Sequence, residues 1–200
     1  MIVSFNFYYA CAGNAAAVLQ QRLRASEVRL HMGLPFGRVL NRIAGSGDLP
    51  DVIWQHDYEN LQGNEADMAA RAASPEFEAI RAGMRKLYRR FERPLFEMRS
   101  TFGLPALQGS IVALDWIFCS EAASAAAAAK LEALARKDSA PGRLLQLITP
   151  GDDLPLLVWQ REYADEVAYE RAPRPVAELA TIERLVKRIE SSAWRVERAG

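Results

Sequence analysis

Two stretches of this chain have similar sequences: GRVLNRIAGSGDLPDVIWQHDYEN (Gly37–Asn60) and GRLLQLITPGDDLPLLVWQREYAD (Gly142–Asp165). Aligned without gaps, they are identical at ten of 24 positions, where unrelated segments would share roughly two. The identities include a Leu-Pro turn and the Trp, Gln and Tyr of the segment that follows it. The similarity predicts an internal duplication.

Each copy has the pattern of a β-hairpin. Branched and aromatic residues dominate the two flanking runs, as they do in strands. The connecting segments, GSGDLP and PGDDLP, are rich in Gly, Pro and Asp, which suit the unusual backbone angles of turns. We therefore predict a β-hairpin in each copy.

The segments before the hairpins also match. Apolar, strand-like runs at Ile2–Ala10 and Ile111–Cys119 are each followed by a segment of helix-forming residues, an Ala/Leu/Arg stretch at Asn14–His31 and an alanine run at Glu121–Lys137. Alanine has the highest helix propensity, so both segments are predicted helices.

A helix and a strand are predicted after each hairpin. In the first copy the helix runs from Ser74 to Glu92 after a helical lead-in, with Ser74 as N-cap and Pro75 in the first turn, and PLFEMRS is the strand. In the second copy the helix covers Pro173–Ser192 and AWRVERA is the last strand. The chain thus predicts β-α-β-β-α-β twice.

This order is that of the ferredoxin-like split βαβ unit. We predict a first unit over residues 1–101, a linker over 102–110 rich in Gly, Pro and Ser, and a second unit over 111–200. The fold class is α+β, with the antiparallel sheets of the two tandem units packing into an α+β barrel.

Two motifs carry a resemblance to a known family. The strand VIWQHDY (Val52–Tyr58) and the helix start SPEF (Ser74–Phe77) resemble those of the dimeric α+β barrel superfamily, and within it the NIPSNAP-like group. The second copy has RPVAEL in place of SPEF, as in a diverged half. The resemblance implies a homodimer, or a dimer made in one chain, and small-molecule chemistry of the kind seen in cofactor-independent monooxygenases and heme-binding enzymes.

Composition excludes several classes of function. The 25 basic residues equal the 25 acidic residues in number and are interleaved with them, which argues against a nucleic-acid partner. No apolar run is long enough to span a membrane, and the start of the chain lacks the features of a signal peptide. Cys11 and Cys119 lack metal-ligand spacing, so we predict free thiols in a cytoplasmic protein.

Strand alternation places the candidate site residues on shared faces. His56 is the candidate catalytic residue, because its imidazole could act as a base near neutral pH. The candidate ligand-binding side chains are polar or aromatic and occupy matching strands of the two copies: Asn6, Tyr8, Arg38, Trp54, Tyr58, Asp115, Trp159 and Arg161.

Two hypotheses about function follow. The first is a NIPSNAP-like barrel protein that binds a small apolar or aromatic ligand in the barrel, and the alternative is a cofactor-independent monooxygenase-like or isomerase-like enzyme with its site around His56. Each candidate also has a structural alternative, because a Trp, Tyr or His on a half-buried strand commonly serves in packing. No cofactor is predicted; heme would need an axial histidine, and besides His56 the chain offers only His31.

Overall fold

A computed structural model describes residues 1–45, 47–103, 110–138, 140–149, 151, 153–172 and 179–197. They form two compact units. Unit 1 consists mainly of Met1–Arg42 and Asp48–Leu95, and unit 2 mainly of Phe96–Arg195.

Unit 1 is an antiparallel sheet with three helices. Along the chain it contains β1 (Ile2–Ala10), α1 (Ala15–His31), β2 (Arg38–Gly45), β3 (Val52–Tyr58), α2 (Leu61–Ala72), α3 (Pro75–Met84) and β4 (Tyr88–Glu92). β1 pairs with both β3 and β4, and β2 pairs with β3, so the strand order is β2-β3-β1-β4.

Alternation along β1 separates the two faces of this sheet. Tyr8 and Ala10 pack with Trp54 of β3 in one apolar cluster with residues of α1 and α3, whereas Phe5 and Phe7 point to the other side. The helices therefore cover the face that carries the even-numbered residues of β1 and β3.

Unit 2 repeats this plan with one strand more. It contains β5 (Leu95–Phe102), β6 (Ile111–Phe118), α4 (Glu121–Ala135), β7 (Gly142–Leu147), β8 (Leu157–Tyr163), α5 (Glu166–Arg171), a short 3-10 helix (Glu183–Leu185) and β9 (Arg188–Glu197). β6 pairs with β8 and β9, and β7 pairs with β8 and β5, so the order is β9-β6-β8-β7-β5.

The fold class is the predicted one. Both units are antiparallel α+β structures in which the first strand lies between the third and the fourth and the second lies beside the third. This is the strand order of the ferredoxin-like unit.

Two predicted helices extend too far. The helix that begins at Pro75 ends at Met84, and Tyr88–Glu92 forms β4 instead. In the second copy the segment 173–178 lies outside the described residues, and Arg188–Ser192 belongs to β9. In both places pairing with the first strand of the unit, β1 or β6, outweighs the helical spacing of the apolar residues.

No helix in the described ranges is long and apolar enough to cross a membrane. Within the same ranges, no group of three or more His, Cys, Asp and Glu side chains could hold a metal ion.

Candidate functional site

Unit 1 contains a cavity of about 170 Å³ between the helix-covered face of its sheet and the helices. Two strands and all three helices of the unit contribute to its wall. The described lining residues are Asn6, Tyr8, Arg22, Ala25, Arg71, Phe77, Ile80, Arg81, Met84, Arg85, Tyr88, Phe91 and Arg93.

One part of the wall is aromatic and apolar. The rings of Tyr8, Tyr88 and Phe91 contact one another, with centroids 5.1 to 5.9 Å apart. α3 adds Phe77 and further apolar side chains, and its start is set by Ser74, whose hydroxyl accepts a hydrogen bond from the backbone N–H of Phe77 at 3.2 Å. Such a surface suits the face of a planar, apolar group.

The rest of the wall is basic. Five arginines line the cavity, and no aspartate or glutamate is among the described lining residues. Arg81 and Arg85, at the exposed end, share Glu78 as an ion-pair partner. The other arginines, Arg22, Arg71 and Arg93, lie deeper.

Arg22 is the most completely buried of these, with 2% of its surface exposed. One of its terminal nitrogens donates to the Ser26 hydroxyl at 3.1 Å, but its Nε has no hydrogen-bond partner among the described residues. Burial, together with the nearby charges of Arg29 and Arg71, lowers the pKa of Arg22 although Tyr8 favours its charged form. The site is therefore a poor environment for this cation unless an anion joins it.

Arg93 is half-buried, and its hydrogen bonds likewise go to uncharged groups. Its Nε donates to Oδ1 of Asn6 at 3.1 Å, an acceptor that carries no charge. Burial and the charge of Arg71 lower the pKa of Arg93. The hydrogen-bond partners of Arg22 and Arg93 are therefore uncharged and do not balance the positive charges of these two lining arginines.

Asp67 of α2 supplies negative charge beside the cavity. Its carboxylate accepts hydrogen bonds from Arg29 at 2.8 and 3.1 Å, from Arg71 at 3.1 Å and from the Tyr58 hydroxyl. Burial alone would raise the pKa of Asp67, but the hydrogen bonds from Arg29 and Tyr58 hold it below its usual value. This carboxylate is already committed to Arg29 and Arg71, so it does not complete the surroundings of Arg22.

Trp54 contacts three of these arginines through its ring. Its indole N–H donates to the carbonyl of Phe36 at 3.0 Å, and the guanidinium carbons of Arg22, Arg29 and Arg71 lie 5.2, 4.5 and 5.7 Å from its ring centroid. Such cation–π contacts hold the arginines against one face of the core.

The other predicted residues of unit 1 differ in their position relative to the cavity. Asn6 and Tyr8 line the cavity. His56 and Tyr58 follow Trp54 on the same face of β3, and the His56 ring lies 5.8 Å from that of Trp54 and 4.6 Å from that of Tyr58. Arg38 is half-buried on β2, paired in register with Gln55 of β3.

Burial and the charge of Arg29 lower the pKa of His56, although Asp57 and Asp67 oppose this. This shift favours the neutral imidazole, the form that can accept a proton. His56 belongs to the β3 aromatic row and not to the described cavity wall.

The predicted residues of unit 2 form a balanced ion pair. Arg161 donates to Asp115 at 2.6 Å, and its guanidinium carbon lies 4.5 Å from the ring centroid of Trp159. Ser191 also donates to Asp115, at 2.6 Å. Burial would lower the pKa of Arg161, but Asp115 and other partners raise it. The positive charge is matched inside the unit, unlike that of Arg22.

The buried arginines in and beside the cavity wall were not among the predicted site residues. Arg22 and Arg29 lie on the buried face of α1 with Val18 and Ala25, and this spacing of arginine among apolar residues is the signal that could have identified them. Arg71 similarly continues the buried face of α2 formed by Asn64 and Asp67.

No histidine that could ligate a heme is among the described lining residues of the cavity. His31 is exposed at the last position of α1.

Solved structures resemble this chain although their sequences differ. An anthrone oxidase-like protein is 12% identical, with 98% of this chain and 91% of that chain covered at a TM-score of 0.66. A provisionally assigned monooxygenase from Fusobacterium nucleatum subsp. nucleatum is 8% identical, with 98% and 92% covered, also at 0.66. These similarities show that the chain has the fold of the dimeric α+β barrel proteins.

A NIPSNAP domain protein from Burkholderia xenovorans is 17% identical and covers 54% of this chain and 97% of its own at a TM-score of 0.36, too low to bear on kinship. No protein-family model and no curated protein matches the chain.

Proposed function

We propose that unit 1 binds a small organic molecule in the cavity between its sheet and its helices. The observation that carries this proposal is the composition of the wall, in which an aromatic surface meets buried arginines and no carboxylate is among the described lining residues. Binding pockets typically combine an apolar lining with a few oriented polar groups. The proposed site is on the helix-covered face of unit 1, and not in the barrel interior that the sequence pattern suggested.

The size of the cavity limits the ligand. Its volume of about 170 Å³ is close to the ~150 Å³ of an apolar cavity that accepts benzene, and below the ~300 to 1,000 Å³ of drug-sized sites. A molecule with one ring and a small substituent matches this space. The ring would contact Tyr8, Phe77 and Phe91.

Filling the cavity tests the proposal. Ala25 is buried in the wall, so Ala25→Leu would occupy ligand space. Ala16 is exposed on the same helix, and Ala16→Leu makes the same chemical change away from the cavity. Binding would be measured by calorimetry with benzoate, benzamide and benzyl alcohol.

We expect at least one of these probes to bind the parent protein and Ala16→Leu equally, and to bind Ala25→Leu at least tenfold more weakly. Circular dichroism would verify that both variants are folded. Binding by none of the probes, or equal binding by Ala25→Leu, would contradict the proposed function.

A second candidate function is a monooxygenase-like or isomerase-like reaction in which His56 acts as the base. The lowered pKa of His56 favours it, since a neutral imidazole can accept a proton from a bound substrate. Oxygen uptake would be measured with hydroxybenzoates for the parent and His56→Gln. Uptake that is equal in both proteins, or absent in both, would count against this candidate.

We also propose that the two units arose by duplication within a NIPSNAP-like lineage, with limits near residues 101 and 111, and that the protein forms a homodimer. Ten shared positions in the hairpins and the common strand order of the units support the duplication. Light scattering on the purified protein tests the dimer.

A further inference from the structure

Asn6 and Asp115 occupy equivalent positions in the two units. In the β1–β3 ladder Asn6 is the partner of Trp54, and in the β6–β8 ladder Asp115 is the partner of Trp159. Trp54 and Trp159 are the matching tryptophans of the repeated hairpin. The two units therefore differ at this position by an amide in place of a carboxylate.

The difference changes the charge balance around each tryptophan. In unit 2 the carboxylate of Asp115 binds Arg161 at 2.6 Å, and the arginine over Trp159 is neutralised within the unit. In unit 1 the amide oxygen of Asn6 accepts a hydrogen bond from Arg93 at 3.1 Å. This acceptor is uncharged, so it does not neutralise the arginine. Nothing at this position compensates the charge of Arg22, whose guanidinium carbon lies 5.2 Å from the Trp54 ring centroid.

The missing charge lies at the wall of a cavity and not in a filled core. Asn6, Arg22 and Arg93 all line it, and Arg22 combines 2% exposure with an Nε that has no partner among the described residues. An unpaired buried cation is costly, and an anion entering the cavity would remove that cost.

We infer, building on the proposed function, that the ligand is a monocyclic carboxylate of the arene carboxylate class. Its carboxylate binds Arg22 and Arg93 beside Asn6 and takes the role that Asp115 has in unit 2. Its ring lies against Tyr8, Phe77 and Phe91. Planar guanidinium groups match a carboxylate through paired hydrogen bonds, and the volume of about 170 Å³ leaves room for one ring besides.

Asn6→Asp is the sharpest test, because it supplies the carboxylate internally as unit 2 does. Binding of benzoate, benzamide and inorganic phosphate would be measured by calorimetry for the parent, Asn6→Asp, Arg22→Gln and Arg24→Gln. Arg24 is exposed on the same helix as Arg22 and is not among the described lining residues, so Arg24→Gln controls for loss of an arginine charge outside the cavity.

We expect the parent to bind benzoate at least tenfold more tightly than benzamide or phosphate. Asn6→Asp and Arg22→Gln should each weaken benzoate binding at least tenfold, and Arg24→Gln by less than threefold. Asn6→Asp should keep its affinity for benzamide within about threefold, which would demonstrate an intact cavity.

Three results would overturn the inference. Tighter binding of benzamide than of benzoate would reject a carboxylate ligand while leaving the proposed function intact. Unchanged benzoate affinity in Asn6→Asp would reject the role of this position. Phosphate binding as tight as benzoate would indicate a general anion site without selection for the ring.

Discussion

Arg29 lies over Trp54, with its guanidinium carbon 4.5 Å from the ring centroid. In unit 2 Arg161 lies over Trp159 at the same distance, 4.5 Å. The second arginine comes from β8 itself, two residues after the tryptophan, at the position where unit 1 has His56. In unit 1 the arginine over the tryptophan, Arg29, instead comes from α1. Its positive charge is balanced by Asp67.

Asp67→Asn should destabilise the protein by about 3 to 5 kcal/mol, because it leaves Arg29 and Arg71 buried without their carboxylate. The free energy of unfolding would be measured by urea denaturation. Asp48→Asn is the matched control: Asp48 pairs with Arg89 and Arg90 at an exposed site, so its loss should cost no more than about 1 kcal/mol. Equal losses of unfolding free energy in the two variants would show that the buried ion pairs of Asp67 stabilise the protein no more than the exposed ion pairs of Asp48.

Gly37→Ala should destabilise much more than Gly33→Ala. Both glycines have positive φ, 76° and 75°, a region that costs a non-glycine residue about 1 to 2 kcal/mol. A Cβ at Gly33 meets nothing within 4 Å, whereas at Gly37 it would overlap the indole of Trp54. Thermal unfolding of the two variants gives the comparison. Similar midpoints would mean that Trp54 moves aside at little cost.

Because of His56, the free energy of unfolding should decrease as the pH falls. The pKa of this histidine is lowered in the folded state by burial and by Arg29, so the unfolded chain binds more protons and stability falls as pH drops through the usual histidine pKa and below. Since Asp67 contributes a loss in the same direction, His56→Gln isolates the histidine. Between pH 7 and pH 5 the parent should lose more unfolding free energy than His56→Gln, as measured by urea denaturation at each pH. Parallel losses would argue against the lowered pKa.

Cys11 should react with iodoacetamide before Cys119. Both thiols are free, but Cys119 is buried and burial raises its pKa despite Lys187, so less of the reactive thiolate forms. Peptide mass spectrometry over time would give the two rates. Faster labelling of Cys119 would indicate an opening of its surroundings in unit 2.

Much of the fold could be predicted because its signals are local. The hairpins follow from alternating side chains and turn residues, and the start of α3 follows from Ser74 and Pro75. β4 was missed because Leu87 and Phe91 continue a helical spacing, while the ladder that makes Tyr88–Glu92 a strand is formed with β1, some 80 residues earlier in the chain. Such distant pairing leaves no local pattern.

The antiparallel α+β plan and the equivalence of Asn6 and Asp115 could be predicted from the sequence, because both follow from strand alternation and from the repeated hairpin. Which charges meet depends on tertiary packing. Arg22, Arg71 and Arg93 come from α1, α2 and the segment after β4, and packing of the helices on the sheet brings them to one cavity. Their shared excess of positive charge arises from that packing, since burial removes the water that would otherwise screen it.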